Sequence, residues 1–93
     1  MGSRVILELY SVVCQKVGEK KIEYEADTVE DVIEKFLAEY AAKIDDSILN
    51  ESGDFKEWIQ ILLNGRGIKF LDGLQTKLKE NDVIALIPML GGG

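Results

Sequence analysis

Asn81-Asp82-Val83-Ile84-Ala85-Leu86-Ile87-Pro88-Met89-Leu90-Gly91-Gly92-Gly93 closes the chain. Asn81 and Asp82 read as a turn, and Val83 to Leu90 as a strand that is apolar at both parities. Alternate residues of a strand point to opposite sheet faces, so such a strand hides both and belongs at the centre of a sheet. One face meets the protein's own helix; a partner protein is the natural cover for the other. The glycines that follow have the opposite character. Glycine loses the most conformational freedom on ordering, so a glycine tail adds nothing to a packed core. It forms instead a thin, flexible strand with a free carboxylate, able to thread into a pocket that any side chain would block. Gly93 is therefore the candidate reactive residue, with Gly91 and Gly92 as its narrow stem. A linker remnant or a frayed end is the competing reading of the tail taken alone.

Upstream, Arg4 to Tyr10 alternates, with Val5, Leu7 and Leu9 on one face and Ile6, Glu8 and Tyr10 on the other. Lys21 to Glu25 alternates again, so two strands with a connection over Ser11 to Gly18 suggest a hairpin. A helix follows. Asp27 or Thr28 can cap it, Glu30 and Asp31 suit its positive first turn, and Val29, Val32, Ile33, Phe36, Leu37, Tyr40 and Ile44 form one apolar stripe. Asp31–Lys35 and Glu39–Lys43 are spaced for ion pairs along the opposite face. Asp45 to Lys56 reads as a polar loop with Ile48, Leu49 and Phe55 as anchors. Trp58 to Leu63 is a strand, Asn64-Gly65-Arg66-Gly67 a tight turn, and Ile68 to Phe70 a short returning strand. Leu74 and Leu78 are expected to plug the core from the irregular segment before the closing strand.

The bulk composition narrows the function. The 93-residue chain is 46% hydrophobic and 30% charged, as expected of one small globular domain. It has no run long enough to span a membrane and no signal-like start, so the expected compartment is cytoplasmic. The net charge of −6 argues against nucleic acid and for partners with basic surfaces. The single Cys14 excludes an internal disulfide, and the absence of histidine excludes His-based metal sites and triads. Glu23, Glu25 and Asp27 are explained as exposed strand positions, and Cys14 as a small packed or turn residue with no histidine to activate it.

Strand, strand, helix, strand, strand, strand requires one main helix across one face of a mixed sheet, with the first and last strands adjacent and parallel at its centre. This is an α+β β-grasp, or ubiquitin-like, architecture: one domain over residues 1–90 and a glycine tail over 91–93. At this point the chain resembles the MoaD-type family, the small sulfur-carrying subunit of molybdopterin synthase. The resemblance rests on Leu9-Tyr10-Ser11 with Gly18 beyond it, on Leu63-Asn64-Gly65-Arg66, and on the closing segment, where Gly92-Gly93 fall on the family's diglycine. Met89 stands where a second proline is usual and Ile87 where an aromatic is usual.

The resemblance implies a non-catalytic, sulfur-donating subunit of an enzyme complex. A MoeB-type, E1-like enzyme would use ATP and magnesium to adenylate Gly93, and a persulfide donor would convert it to a thiocarboxylate. A MoaE-type large subunit would then take the tail and deliver the sulfur to cyclic pyranopterin monophosphate, for the molybdenum or tungsten cofactor. No cofactor or metal is held by the chain itself. Tyr10, Ala85, Ile87, Pro88, Met89 and Leu90 are the implied partner interface. Three other readings stand beside this one: a ubiquitin-like modifier joined to lysine amines, a sulfur carrier for tRNA thiolation or thiamine synthesis, and a non-covalent β-grasp adaptor with an inert tail.

Overall fold

The computed structural model describes residues 2–89; Met1, Leu90, Gly91, Gly92 and Gly93 lie outside the described residues. The elements are β1 (Ser3–Leu9), α1 (Ser11–Val17), β2 (Lys21–Ala26), α2 (Val29–Glu39), β3 (Ile59–Leu63), β4 (Arg66–Gly67) and β5 (Val83–Pro88). Single 3₁₀ turns occupy Ile68–Phe70 and Gly73–Gln75. The sheet order is β2-β1-β5-β3-β4. β1 and β5 are parallel, and every other pairing is antiparallel. The doubly apolar strand is therefore the central one, as its composition requires, and the fold is the expected β-grasp.

The core lies between the sheet and its helices. Val5, Leu7 and Leu9 of β1 and Ile84 and Leu86 of β5 meet Val29, Val32, Ile33 and Phe36 of α2. Helix α2 starts with a capping box: the Asp31 N–H donates to Thr28 Oγ1, while the Thr28 N–H donates to the Asp31 carboxylate. Thr28→Ala removes one arm of that box and leaves a helix-end N–H unpaired. It is expected to cost about 1 kcal/mol, read as a lower urea midpoint at unchanged slope.

The structure corrects several local expectations. Ser11 to Val17 is a helix rather than a bare connection, closed by Gly18 at φ 85° with its N–H on the Cys14 carbonyl at 2.8 Å. Val13 and Val17, one turn apart, bury it against the same sheet face as α2. Ile68 to Phe70 is a 3₁₀ turn, and the returning strand is only Arg66–Gly67. Asn64 and Gly65 have φ of 51° and 85°, a two-residue hairpin turn that joins Leu63 directly to Arg66. Leu78 is buried as expected, but Leu74 is exposed; the residue buried there is Thr76, whose hydroxyl donates to the Gly73 carbonyl at 2.7 Å. The ion pairs anticipated on α2 are not formed either. Lys35 reaches the Glu25 carbonyl, Lys43 the Val17 carbonyl, and Glu39 accepts from the Tyr24 hydroxyl. Lys35 and Glu39 thus tie α2 to β2, and Lys43, beyond the helix end, ties the following turn to α1.

Candidate functional site

The site is built around the place where the chain leaves β5. Pro88 stands opposite Ile59, and the Met89 N–H donates to the Trp58 carbonyl at 2.6 Å, so β3 holds the chain through residue 89. On the other flank the Tyr10 N–H donates to the Leu86 carbonyl at 3.2 Å. Ser11, at φ 55°, then turns the chain away into α1. The last described residue of the closing segment is thus anchored at the sheet's centre, between the end of β1 and the start of β3. Gly91, Gly92 and Gly93, the expected reactive tail, and Leu90, an expected contact residue, fall beyond it.

Beside this exit lies the sheet face turned away from the helices. Register places Glu8 opposite both Lys21 and Ala85, Ala85 opposite Leu62, and Leu62 opposite Gly67. One row of residues therefore crosses all five strands. Parallel rows hold Glu23, Ile6 and Val83 on one side and Ile87 with Gln60 on the other. Ile6, Leu62, Val83, Ala85 and Ile87 all lie outside the hydrophobic cluster behind the sheet. They form a second, thin apolar layer with no element of the chain over it among the described residues. Of the residues expected at an interface, Tyr10 and Met89 are 43% and 46% exposed, Ile87 and Pro88 are half-buried, and Ala85 lies in the floor.

Charged residues at one end of this face are paired with one another. At the β2 end, Lys21 pairs with Glu8 at 3.8 Å, and Arg4 pairs with Glu23 at 3.5 Å and Glu80 at 4.0 Å. Such exposed pairs add little stability, but they leave that margin locally neutralised. The Tyr10 hydroxyl donates to Glu8 at 2.8 Å. That hydrogen bond to a carboxylate, with desolvation second, raises the phenol above its usual range, so Tyr10 stays a neutral donor at physiological pH. Cys14 is half-buried on α1 and packs against the core. Its other side helps to line a cavity of about 360 Å³ shared with Glu8, Tyr10, Ser11, Lys20 and Lys21. Without a histidine in the chain, this thiol has no imidazole base beside it.

One exposed residue escaped the sequence reading. Phe70, taken as part of a strand, is 78% exposed. Its ring stands over the β4 end of the outer face: a side chain placed on Gly67 would meet Phe70 Cδ2 at 3.4 Å and Leu62 Cδ2 at 3.8 Å. The only signal for it was the bare Gly67 three residues before an aromatic.

A five-stranded β-grasp sheet with a central strand that delivers its last residues beside an uncovered apolar face defines a small ubiquitin-like carrier. The chain belongs to the ThiS family, whose model matches residues 7–93. It is 33% identical over 90 residues to small archaeal modifier protein 3 of Haloferax volcanii, covering 94% of this chain and 96% of that protein. It is 30% identical over 76 residues to a candidate sulfur carrier protein of Archaeoglobus fulgidus, covering 82% of this chain and 85% of that protein. The solution structure of small archaeal modifier protein 1 from Methanosarcina acetivorans superposes with a TM-score of 0.82 at 27% identity, covering 100% of this chain and 99% of that one. The wider class of β-grasp sulfur carriers and modifiers is thereby established. The narrower MoaD assignment is one branch of that class. No helix among the described residues is long and apolar enough to cross a membrane.

Proposed function

We propose that the chain is a ubiquitin-like carrier whose terminal carboxylate, on Gly93, is activated by an E1-like enzyme and then handed on. The observation that carries this reading is the match of the ThiS family model through residue 93, joined to a tail root that is clamped on both flanks by Tyr10 and Trp58. The chemistry follows from the carboxylate itself. It is a poor electrophile until an oxygen attacks the α-phosphorus of ATP, with release of pyrophosphate. The acyl-adenylate carbon then accepts a nucleophile as AMP departs. A persulfide, followed by a thiol that cleaves the acyl disulfide, leaves a thiocarboxylate; a lysine amine leaves an isopeptide bond. The chain supplies the acyl group and the surface that docks it, while acid–base chemistry is left to the activating and accepting enzymes.

The relatives are named both for sulfur carriage and for protein modification, which favours a carrier of this general kind over one dedicated to molybdopterin. Delivery of sulfur to cyclic pyranopterin monophosphate, with a MoaE-type subunit as acceptor, is the narrower second reading; the closing Pro88 and glycines at 91–93 favour it. Intact mass after incubation with ATP, magnesium, an E1-like enzyme and a persulfide donor decides the matter. An exchange of one oxygen for one sulfur at Gly93 establishes carriage. Higher-mass conjugates that vanish when Gly93 is deleted establish modification. An unaltered chain, with an enzyme competent on its own carrier, sinks both.

The outer sheet face docks the activating enzyme in this reading. Ile87 is half-buried there, next to Tyr10 and one residue before the strand's end. Ile87→Asp places an unpaired charge in the contact and is expected to weaken binding about 30-fold or more, with thermal stability little changed. Affinity measured by calorimetry against the activating enzyme checks it; an unchanged affinity removes this face from the interface.

A further inference from the structure

We infer that the free edge of β3 is a docking site for an extended segment of a partner protein, which adds a short strand to the sheet and sets alternate, apolar side chains into a cavity beside α2. The site uses neither the tail nor the outer face, so it is independent of the carrier chemistry. One edge of β3 is taken by β5 along its whole length. On the other edge β4 covers only Leu62 and Leu63, because the chain enters a 3₁₀ turn directly after Gly67. Backbone groups along a strand point alternately to its two edges. The Asn64 N–H donates to the Val83 carbonyl and the Trp58 carbonyl accepts from the Met89 N–H, so even-numbered residues here face β5. Odd-numbered residues face the other way. Leu63 meets Arg66 there, and the Ile59 N–H is taken by the Lys56 carbonyl at 3.0 Å. The Ile59 carbonyl and both backbone groups of Ile61 are left pointing outward, with no strand beside them among the described residues. An edge of this kind is a template for another strand.

The opposite edge of the sheet is shielded. β2 carries Lys21, Glu23 and Glu25, and Lys35 of α2 caps the Glu25 carbonyl. Charged side chains on an edge discourage strand addition, and Ile59, Gln60 and Ile61 have none. The surroundings of the β3 edge specify the guest. Two cavities flank it, and Glu57, Ile59 and Ile61 line both. The one on the helix side, of about 330 Å³, is walled by Ile33, Leu37, Phe55 and Leu74, with Asp54 and Lys56, of opposite charge, also lining it. Leu74, 40% exposed where it was expected to plug the core, thus contributes to this cavity. The one on the outer side, of about 210 Å³, is bordered by Gln60, Gly67 and Lys69. Residues directly opposite one another in a sheet share a face. A guest residue facing Ile61 therefore enters the apolar cavity, while its two neighbours turn to the smaller one. Main-chain hydrogen bonds with pockets for alternate side chains are the recognition mode of strand addition. The guest is accordingly an extended segment that alternates apolar and polar residues. A second copy of this chain does not fit: antiparallel pairing of two β3 edges over residues 59–61 would drive β4 of each copy into residues 57–58 of the other.

The test titrates the full, isotope-labelled chain with a blocked heptapeptide that alternates serine and valine, followed by amide shifts and hydrogen exchange. Saturable shifts are expected at residues 57–61 and 67–69. The Ile61 N–H is expected to exchange at least about 10-fold more slowly in the complex. The same peptide N-methylated throughout its backbone keeps every side chain and loses every donor, and it is expected to bind at least about 10-fold more weakly. Leu74→Asp, which sets a charge in the apolar cavity, is expected to weaken binding of the parent peptide about 10-fold, with the melting temperature within about 2 °C. The N-methyl comparison needs no altered chain, so it decides the matter whatever the variant does to stability. Equal affinity of the two peptides would reduce the site to a plain apolar pocket and overturn the inference. So would shifts confined to β2 or the outer face, or no binding at millimolar peptide. Protection of the Ile61 N–H that rises with protein concentration alone would put a second copy on this edge and overturn it as well.

Discussion

Removing Gly92 and Gly93 is expected to abolish ATP-dependent activation while leaving the melting curve of the domain where it is. The two halves of that result have different origins. Among the described residues the core is closed by residues 5–86 and the tail root is held through the Met89–Trp58 hydrogen bond, and truncation after Gly91 leaves all of these contacts in place. Activation, by contrast, requires a carboxylate at a set distance from a docked surface. Two extended residues span about 7 Å, and misplacing a reacting group by even about 1 Å can cost about 100-fold in rate. The truncated chain should dock and compete with the full-length one, yet support pyrophosphate exchange at least about 100-fold more slowly. Replacing Gly92 with Val tests the complementary point. It keeps the reach and widens the stem, so it should fail through exclusion from the acceptor pocket. Exchange within a few-fold of the parent for both variants would remove the tail from the chemistry.

The largest expected effect on stability comes from Phe36→Ala. Phe36 is fully buried at the centre of α2, with the Tyr40 ring at 5.5 Å and the Phe55 ring at 6.4 Å between centroids. It joins the helix to the long connection before β3, which has little regular structure of its own and depends on such contacts. Truncation forfeits the transfer term and leaves a cavity that rigid strands on one side cannot collapse into, at a cost of about 3–5 kcal/mol. Small domains have only about 5–15 kcal/mol in total, so the variant should approach half-unfolding under mild heating. Urea denaturation followed by Trp58 fluorescence measures it. A loss below about 1 kcal/mol would mean that the connection and helix can repack around the gap.

These two predictions draw on parts of the molecule with very different legibility. The core that Phe36 anchors was readable because α2 repeats its apolar residues over three turns and β1 and β5 repeat theirs over five or six positions. A misreading by one residue there would have turned the whole stripe outward. The central place of β5 followed from its having no polar face. What could not be read was short. Helix α1 runs for seven residues and buries only Val13 and Val17, too few for a period to stand out from a loop. The segment Ile68 to Phe70 has the alternation of a strand. Yet the 3₁₀ turn begins directly after Gly67, and the strand ends after two residues. Leu74 is exposed and Thr76 takes the buried place because burial there is decided by where the turn points, and a hydroxyl that bonds the Gly73 carbonyl is as acceptable inside as a leucine. For the site, parity and the family resemblance together assigned Tyr10, Ala85 and Ile87 to the outer face. Phe70 was missed because it reaches that face from outside the sheet, by a route no strand pattern encodes.

The parallel pairing of β1 with β5 has a mechanical consequence. These strands lie side by side in the same direction, one at each end of the chain, and β5 is bonded to β3 along its other edge. A machine that draws on a substrate through the carboxyl end therefore cannot peel the sheet open one hydrogen bond at a time. It must slide the middle strand lengthwise between two neighbours and break both ladders together. Forced unfolding is governed by the height of that barrier rather than by equilibrium stability. The domain should accordingly resist force applied at its carboxyl end for longer than its equilibrium stability alone would suggest.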